Sequence, residues 1–122
     1  MTAELPTVTP ADTVTAGTHA RIVFRVSLHP GTEQQFLAAY ESIRHLVAGG
    51  VPGHIVDQVC ESADVPGEWL ITSEWERLED FRAWERTPEH RELVGPMRAC
   101  MASAKSAKYL IRRETGNPGR VP

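Results

Sequence analysis

Four runs of this chain carry the two-residue period of β-strands, and only two stretches carry a helical period. That imbalance constrains the fold more than any other feature. The first run, Ala20 to Leu28 (ARIVFRVSL), alternates Ile22, Phe24, Val26 and Leu28 with Arg21, Val23, Arg25 and Ser27, the pattern of a half-buried strand. His29-Pro30-Gly31 breaks it, and Thr32 stands as an N-cap with Gln35 three residues on, a capping-box spacing. Phe36, Tyr40, Ile43 and Val47 recur at steps of three and four. The spacing predicts a helix to about Ala48 with that stripe buried and Ala39 and Leu46 beside it. Gly49-Gly50 and Pro52-Gly53 supply its end and the following turn.

Strand two is expected over His54 to Ser62, and Pro66-Gly67 marks a hairpin connection to strand three, Glu68 to Trp75. In that third strand Trp69, Ile71, Ser73 and Trp75 share one face. A second helical stretch begins near Leu78. It is interrupted at Thr87-Pro88, where Thr87 caps a new turn and Pro88 suits its first position. Glu89 to Val94 continue it, Gly95-Pro96 is expected to break it, and Met97 to Ala104 read as another short helical piece before a last strand, Ser106 to Arg113. The order β-α-β-β-α-β predicts an α+β, ferredoxin-like domain: a four-stranded antiparallel sheet with helices on one face. The other face then needs a cover. On strand one it carries Val23 between Arg21 and Arg25, too mixed for a monomer core and too apolar for plain surface. Two sheets packed across a twofold axis solve the problem, which predicts a homodimer. Arg25 is expected to face the partner subunit and to pair with Asp57 or Glu61.

At 122 residues the chain fits one domain. The expected folded part is 20–114, between flexible tails at 1–19, rich in Thr, Pro and Ala, and at 115–122. A net charge of −3 with no Lys/Arg run argues against nucleic acid or an anionic membrane as partner. No apolar run approaches the roughly 20 residues of a membrane span, and no basic-then-apolar leader is present, so a cytoplasmic protein is expected. Cys60 and Cys100 are too few and too far apart for a disulfide framework and read as reduced thiols. There is no GxGxxG after a strand, no Walker loop, no HExxH, and no pair of Cys or His at metal spacing. No cofactor or metal site is expected. His19, His29, His45, His54 and His90 are scattered.

Three segments, RVSLHPGTEQQFLAAYESIR, GVPGHIVDQV and WLITSEWERLEDFRAWERTPEHREL, resemble in order and spacing the antibiotic biosynthesis monooxygenase family of dimeric α+β barrels. The resemblance spans about Arg21 to Arg113. It implies a small aromatic substrate and, in the oxygenase members, dioxygen. Such members convert phenolic or anthrone-type polyketides to quinones without a cofactor; others degrade haem, and related barrels act as cyclases or isomerases. The haem-degrading members use an Asn on strand one, a Trp on the second helix and a His ten residues later. By spacing Trp84 matches that Trp, but Phe24 and Val94 occupy the other two positions, and neither side chain can ligate iron. Haem degradation is therefore disfavoured.

An oxygenase without a cofactor takes its electrons from the substrate, whose anion reduces dioxygen more readily than the neutral phenol. The protein must bind a flat aromatic, favour its anion and exclude water. That calls for an apolar pocket with a few polar groups, expected between sheet and helices. Phe24, Phe36, Phe81 and Arg98 are expected to bind the substrate. Trp75, Trp84, His54 and Tyr40 are the candidate catalytic residues, with Tyr40 and Trp75 offering a hydroxyl and an indole N–H to a substrate oxygen, His54 acting as base and Arg98 favouring a phenolate. Proton transfer alone would make a cyclase or isomerase of the same pocket. Binding without turnover would make an accessory protein.

Overall fold

The computed structural model describes residues 18–118; the expected tails therefore lie outside the described residues except for Thr18, His19 and positions 115–118. The elements run β1 (Ala20–Leu28), α1 (Glu33–Gly50), β2 (His54–Glu61), β3 (Glu68–Trp75), α2 (Leu78–Glu85), α3 (Pro88–Arg98) and β4 (Met101–Leu110). The strands form one antiparallel sheet in the order β2-β3-β1-β4. This is the ferredoxin-like α+β fold expected from the element order.

Register puts the predicted apolar sets on one face. Ile22 lies opposite Ser73, Phe24 opposite Ile71 and Val26 opposite Trp69. The helices cover this face, and the core beneath them forms two clusters. One holds Val26, Leu28, Phe36, Ile43, Trp69, Met97 and Cys100; the other holds Ile22, Trp75 and Phe81. Phe24 packs against both clusters. Trp75, Phe36 and Ile22 are the largest fully buried side chains. Each contributes roughly 1.5–3 kcal/mol by leaving water.

Several local expectations change. Thr32 makes no side-chain cap: its hydroxyl donates to the His29 carbonyl at 2.7 Å and lies 3.3 Å from the Cys100 carbonyl. The hydroxyl thus ties the β1–α1 turn to the α3–β4 junction instead of the helix end. α1 runs through Gly49 and Gly50, two residues past the expected stop, and Leu46 is 61% exposed, not part of the packed stripe. Thr87 does cap α3, accepting from the His90 backbone N–H at 3.1 Å, with Pro88 in the first turn.

The larger correction concerns Gly95-Pro96. α3 passes through it to Arg98, and 101–104 belong to β4 rather than to a helix. Pro96 cannot donate to the Glu92 carbonyl four residues back and its ring crowds that carbonyl, but it stands in the last turn of α3, where few helix bonds remain to be lost. One further turn is then closed by Ala99 N–H to Gly95 at 3.0 Å and Cys100 N–H to Met97 at 3.1 Å. β4 pairs with β1 along its length, from Leu110 opposite Ala20 to Met101 opposite Leu28. Ladder bonds to a central strand, not local propensity, decide the conformation of MASA.

Arg25 is exposed and makes no ion pair among the described residues. Its expected partners point elsewhere, because Asp57 lies opposite Ser73 and Glu61 opposite Trp69, both on the helix-covered face. On the uncovered face it is Glu74 that is paired, with Arg21 at 3.2 Å and His19 at 2.9 Å. Cys60 and Cys100 are free. Among the described residues no helix is long and apolar enough to cross a membrane, and no group of three or more His, Cys, Asp or Glu is placed to hold a metal ion.

Candidate functional site

A cavity of about 370 Å³ lies between the sheet and the three helices, where the two core clusters part. That is room for a small, flat organic molecule. Its apolar walls include Phe24, Ile71 and Trp75 from the sheet and Phe81 and Trp84 from α2. The rings pack edge to face, or tilted in the case of Phe24 on Phe81. Trp75 meets Phe81 at 5.5 Å and His54 at 5.2 Å between ring centres, and Phe24 meets Phe81 at 6.4 Å. Such arrangements stabilise by about 0.5–1.5 kcal/mol each beyond burial and fix the walls before any ligand arrives.

Besides Ser73 and Ser103, two clusters of polar residues interrupt these walls. The first comes from β2 and α1. The β2–β3 register shifts between His54 and Val56, so that His54 lies opposite Trp75 and Asp57 opposite Ser73. In a regular strand residues three apart face opposite ways; the bulge at Ile55 brings both inward. His54 Nε2 sits 2.8 Å from Asp57 Oδ1, and the Tyr40 hydroxyl donates to Asp57 Oδ2. A carboxylate only accepts, so the His54 nitrogen facing it carries the proton. His54 Nδ1 is sealed from solvent without a partner. Burial, and then the Asp57 carboxylate beside it, push the Tyr40 hydroxyl well above the ordinary tyrosine range. Tyr40 therefore stays a neutral donor to Asp57.

The second group comes from α3. His90, Val94, Met97 and Arg98 all line the cavity, and their spacing of four, seven and eight residues from His90 places them on one helix face. His90 is 6% exposed and stands edge-on to Trp84, 5.4 Å between ring centres. Its ring nitrogens make no hydrogen bond or ion pair among the described residues, and they are not among the sealed, unpartnered atoms, which are His54 Nδ1 and Trp69 Nε1. They are therefore not sealed off, and His90 is one of the residues that line the cavity. Burial lowers the His90 pKa from its ordinary value, Arg98 and Arg91 lower it further, and Glu85 opposes them. His90 is therefore neutral near pH 7.

Of the residues expected at the site, Trp75, Trp84, His54, Tyr40, Phe24, Phe81 and Arg98 line this one cavity. Phe36 does not: it packs edge-on against Trp69 at 5.5 Å in the other part of the core, fully buried. Neither expected donor proton is free. Tyr40 gives its proton to Asp57, and the Trp75 indole N–H goes to Ser73 Oγ at 2.9 Å. His54 presents neither nitrogen to the cavity. Asp57, expected only as a partner of Arg25, and His90, ranked below His54 as a base, also line the cavity. The spacing of His90, Val94, Met97 and Arg98 was a readable signal, obscured by the break assumed at Pro96. The bulge that turns Asp57 inward left none.

Known proteins share this fold and much of this sequence. The chain is 44% identical over 106 residues to the 42.8 kDa protein in the whiE locus of Streptomyces coelicolor, covering 87% of this chain and 26% of that protein. It is 40% identical over 103 residues to the polyketide synthase CurD of Streptomyces cyaneus, covering 84% of this chain and 27% of that one. The chain thus spans about a quarter of the length of these curated relatives. Among solved structures, SnoaB, a cofactor-independent oxygenase from Streptomyces nogalater, superposes with a TM-score of 0.71 at 16% identity, over 82% of this chain and 99% of that one. At that identity the likeness speaks for the fold alone. The family model for antibiotic biosynthesis monooxygenases matches residues 20–95, which include β1, α1, the β2 bulge and the aromatic walls, and this chain belongs to that family.

Proposed function

We propose that the chain is a cofactor-independent monooxygenase that converts a phenolic or anthrone-type aromatic polyketide to a quinone, acting as a homodimer. The observation that carries this reading is the cavity itself: about 370 Å³, walled by Phe24, Trp75, Phe81 and Trp84, with polar groups such as Asp57, His90 and Arg98 set among the apolar walls. Flat rings fit between edge-packed aromatics, and the polar groups meet oxygens at the ring's edge. The name of one curated relative, a polyketide synthase, supports the same substrate class, and the family's description, antibiotic biosynthesis monooxygenase, supports the same chemistry.

For an anthrone the balance is simple. A ring CH₂ loses two hydrogens and gains one oxygen atom to become a carbonyl, and the second oxygen atom of O₂ leaves as water. All four electrons come from the substrate. The site's part is to hold the ring, stabilise its anion and keep bulk water out. Trp75 and Trp84 form the walls, Arg98 at the cavity's edge balances the anion's charge, and Tyr40 with His54 keeps Asp57 in place.

The dimer reading rests on the uncovered face of the sheet. It carries Val23, Leu70 and Cys60 among charged residues, together with Tyr109, which is 57% exposed. A second copy would shelter that face and close the barrel. Light scattering coupled to size exclusion at micromolar concentration tests it; a stable monomer would refute the closed barrel.

Oxygen consumption by chelator-treated protein with dithranol, a dihydroxyanthrone, tests the chemistry. Uptake with quinone formation supports oxygenation. A second reading, a cyclase or isomerase, draws on the neutral His90 and would be chosen if substrate were converted without oxygen uptake. Saturable binding with neither would leave a binding module.

A further inference from the structure

We infer that His90 is the group that takes the acidic proton from the aromatic substrate, with Arg98 placed on the same helix face to meet the oxyanion that results. The inference rests on the reading that the cavity binds an ionisable aromatic, and it adds the proton's destination.

The argument is one of elimination among the titratable groups that face the cavity. Each oxygen of Asp57 already accepts a hydrogen bond, one from Tyr40 and one from His54. His54 has one nitrogen committed to that carboxylate and the other sealed off. The Tyr40 proton is donated to Asp57, and Arg44 and Arg98 are permanent cations. His90 remains. Its side chain is nine-tenths buried, lines the cavity, and has no hydrogen bond on either ring nitrogen among the described residues. With no protein partner on the ring and the nitrogens not sealed off, a ligand O–H can hydrogen-bond to it.

Several contacts hold the ring ready. Trp84 stands against it at 5.4 Å, and the backbone N–H of His90 is fixed by the Thr87 cap at 3.1 Å. Burial with Arg98 and Arg91 nearby keeps the imidazole neutral and so able to accept. In the step itself the acidic bond breaks, O–H in a phenol or the ring C–H in an anthrone, its electron pair stays on the substrate, where it is delocalised onto oxygen, and the proton forms an N–H bond on His90. The result is an imidazolium and a phenolate or enolate. The proton is later returned to the oxygen that departs as water, so His90 ends as it began. The charged or titratable groups around the ring are Arg91 and Arg98 on α3, Glu85 on α2, Arg44 and Tyr40 on α1, and His54 and Asp57 on β2.

The test separates proton capture from oxygen chemistry by using para-nitrophenol, whose anion is yellow and whose neutral form is not, under argon. Wild-type protein is expected to bind it as the anion at a pH where the free phenol is mostly neutral. His90→Gln should bind the neutral form, with about tenfold less anion at the same pH, one pH unit of apparent shift. Arg98→Gln should weaken binding of the anion and leave the neutral form unchanged. His45→Gln, on the exposed side of α1, should behave as wild type. In dithranol turnover His90→Gln should lower kcat by about a hundredfold with little change in KM, and the pH–rate profile should lose its lower limb. Because that variant removes a buried ring, ¹⁵N spectra of wild-type His90 provide a second measurement. A neutral ring whose nitrogen signal moves on adding the phenol is expected, and a ring unaffected by saturating phenol overturns the assignment. Anion capture that is equal in His90→Gln and wild type also overturns it, as does wild type binding only neutral phenol. Normal capture without oxygen uptake would sink the oxygenase reading and leave His90 in its role.

Discussion

The Tyr40–Asp57–His54 cluster gives a prediction whose size follows from burial. Asp57→Ala removes the acceptor of two hydrogen bonds. The His54 side chain is 2% exposed, so its Nε2–H is left unsatisfied without access to water, at a cost of roughly 1–3 kcal/mol. Tyr40 is half-buried at the cavity wall and can turn its hydroxyl to water, which limits its loss to about 1 kcal/mol. The expected total is about 2–4 kcal/mol. With a urea slope of about 1–1.5 kcal/mol per molar for a domain of this size, the unfolding midpoint should fall by roughly 2 M. Asp57→Asn keeps the shape and one oxygen for His54 and should cost about 1–2 kcal/mol, the part owed to charge. A double-mutant cycle of Tyr40→Phe with Asp57→Asn should return a coupling of about 0.5–2 kcal/mol. All variants must be compared at one protein concentration, since association would add to apparent stability. If Asp57→Ala unfolds within about 0.5 kcal/mol of wild type, or the cycle shows no coupling, the carboxylate holds neither partner and the reasoning fails.

Three further outcomes are expected. Trp84 is half-buried and forms wall rather than deep core, whereas Trp75 is 2% exposed; Trp84→Ala should therefore lose turnover with dithranol by about tenfold or more while costing less stability than the roughly 3–5 kcal/mol of Trp75→Ala, as read by steady-state rates and urea melts. Gly53 has φ +84° and an added Cβ would fall on the Asp80 carboxyl, so Gly53→Ala should destabilise by about 1–3 kcal/mol, with a folded protein unchanged in thermal midpoint as the contrary result. Because the folded state holds the His90 pKa below its ordinary value of 6.5, the unfolded chain binds the proton first. Stability is therefore full above 6.5 and falls as pH drops through the lowered value. Urea melts from neutral to mildly acidic pH should show that slope, and it should flatten in His90→Gln.

How much of this was readable in the sequence depends on whether a local rule or a tertiary contact made the decision. β1 and β3 could be drawn residue by residue, because Ile22, Phe24 and Val26 on one strand and Trp69, Ile71 and Ser73 on the other alternate without interruption. The stripe of α1 was equally plain, with Phe36 and Ile43 buried as spaced. What periodicity cannot say is which part of a core a buried ring enters. Phe36 and Phe24 look alike in the sequence, yet Phe36 meets Trp69 while Phe24 reaches the cavity. Nor does local propensity find the start of β4, since Met101-Ala102-Ser103-Ala104 owe their conformation to β1, although the strand itself is legible from Ser106 on. Glu61 and Asp57 were assigned to the wrong face for one reason, the extra residue at Ile55.

The two departures from local rules are also the two that furnish the site's polar groups. Without the bulge at Ile55, strict alternation would turn Asp57 away from His54, and Tyr40 would have no carboxylate to meet. Without a helix that tolerates Pro96, Met97 and Arg98 would leave the face that carries His90, and the cavity would keep only the Arg44 cation on α1. Regular elements suffice to build the apolar walls, since a two-residue or 3.6-residue period turns rings inward by itself. Placing a charge or an imidazole on the same surface requires stepping out of period, because the pattern that buries rings sends polar residues to water. A chain read only for consistency will therefore reveal its core and mislay its chemistry. In this chain a proline within an otherwise periodic helix and a strand whose alternation fails by one residue are the marks of where that chemistry lies.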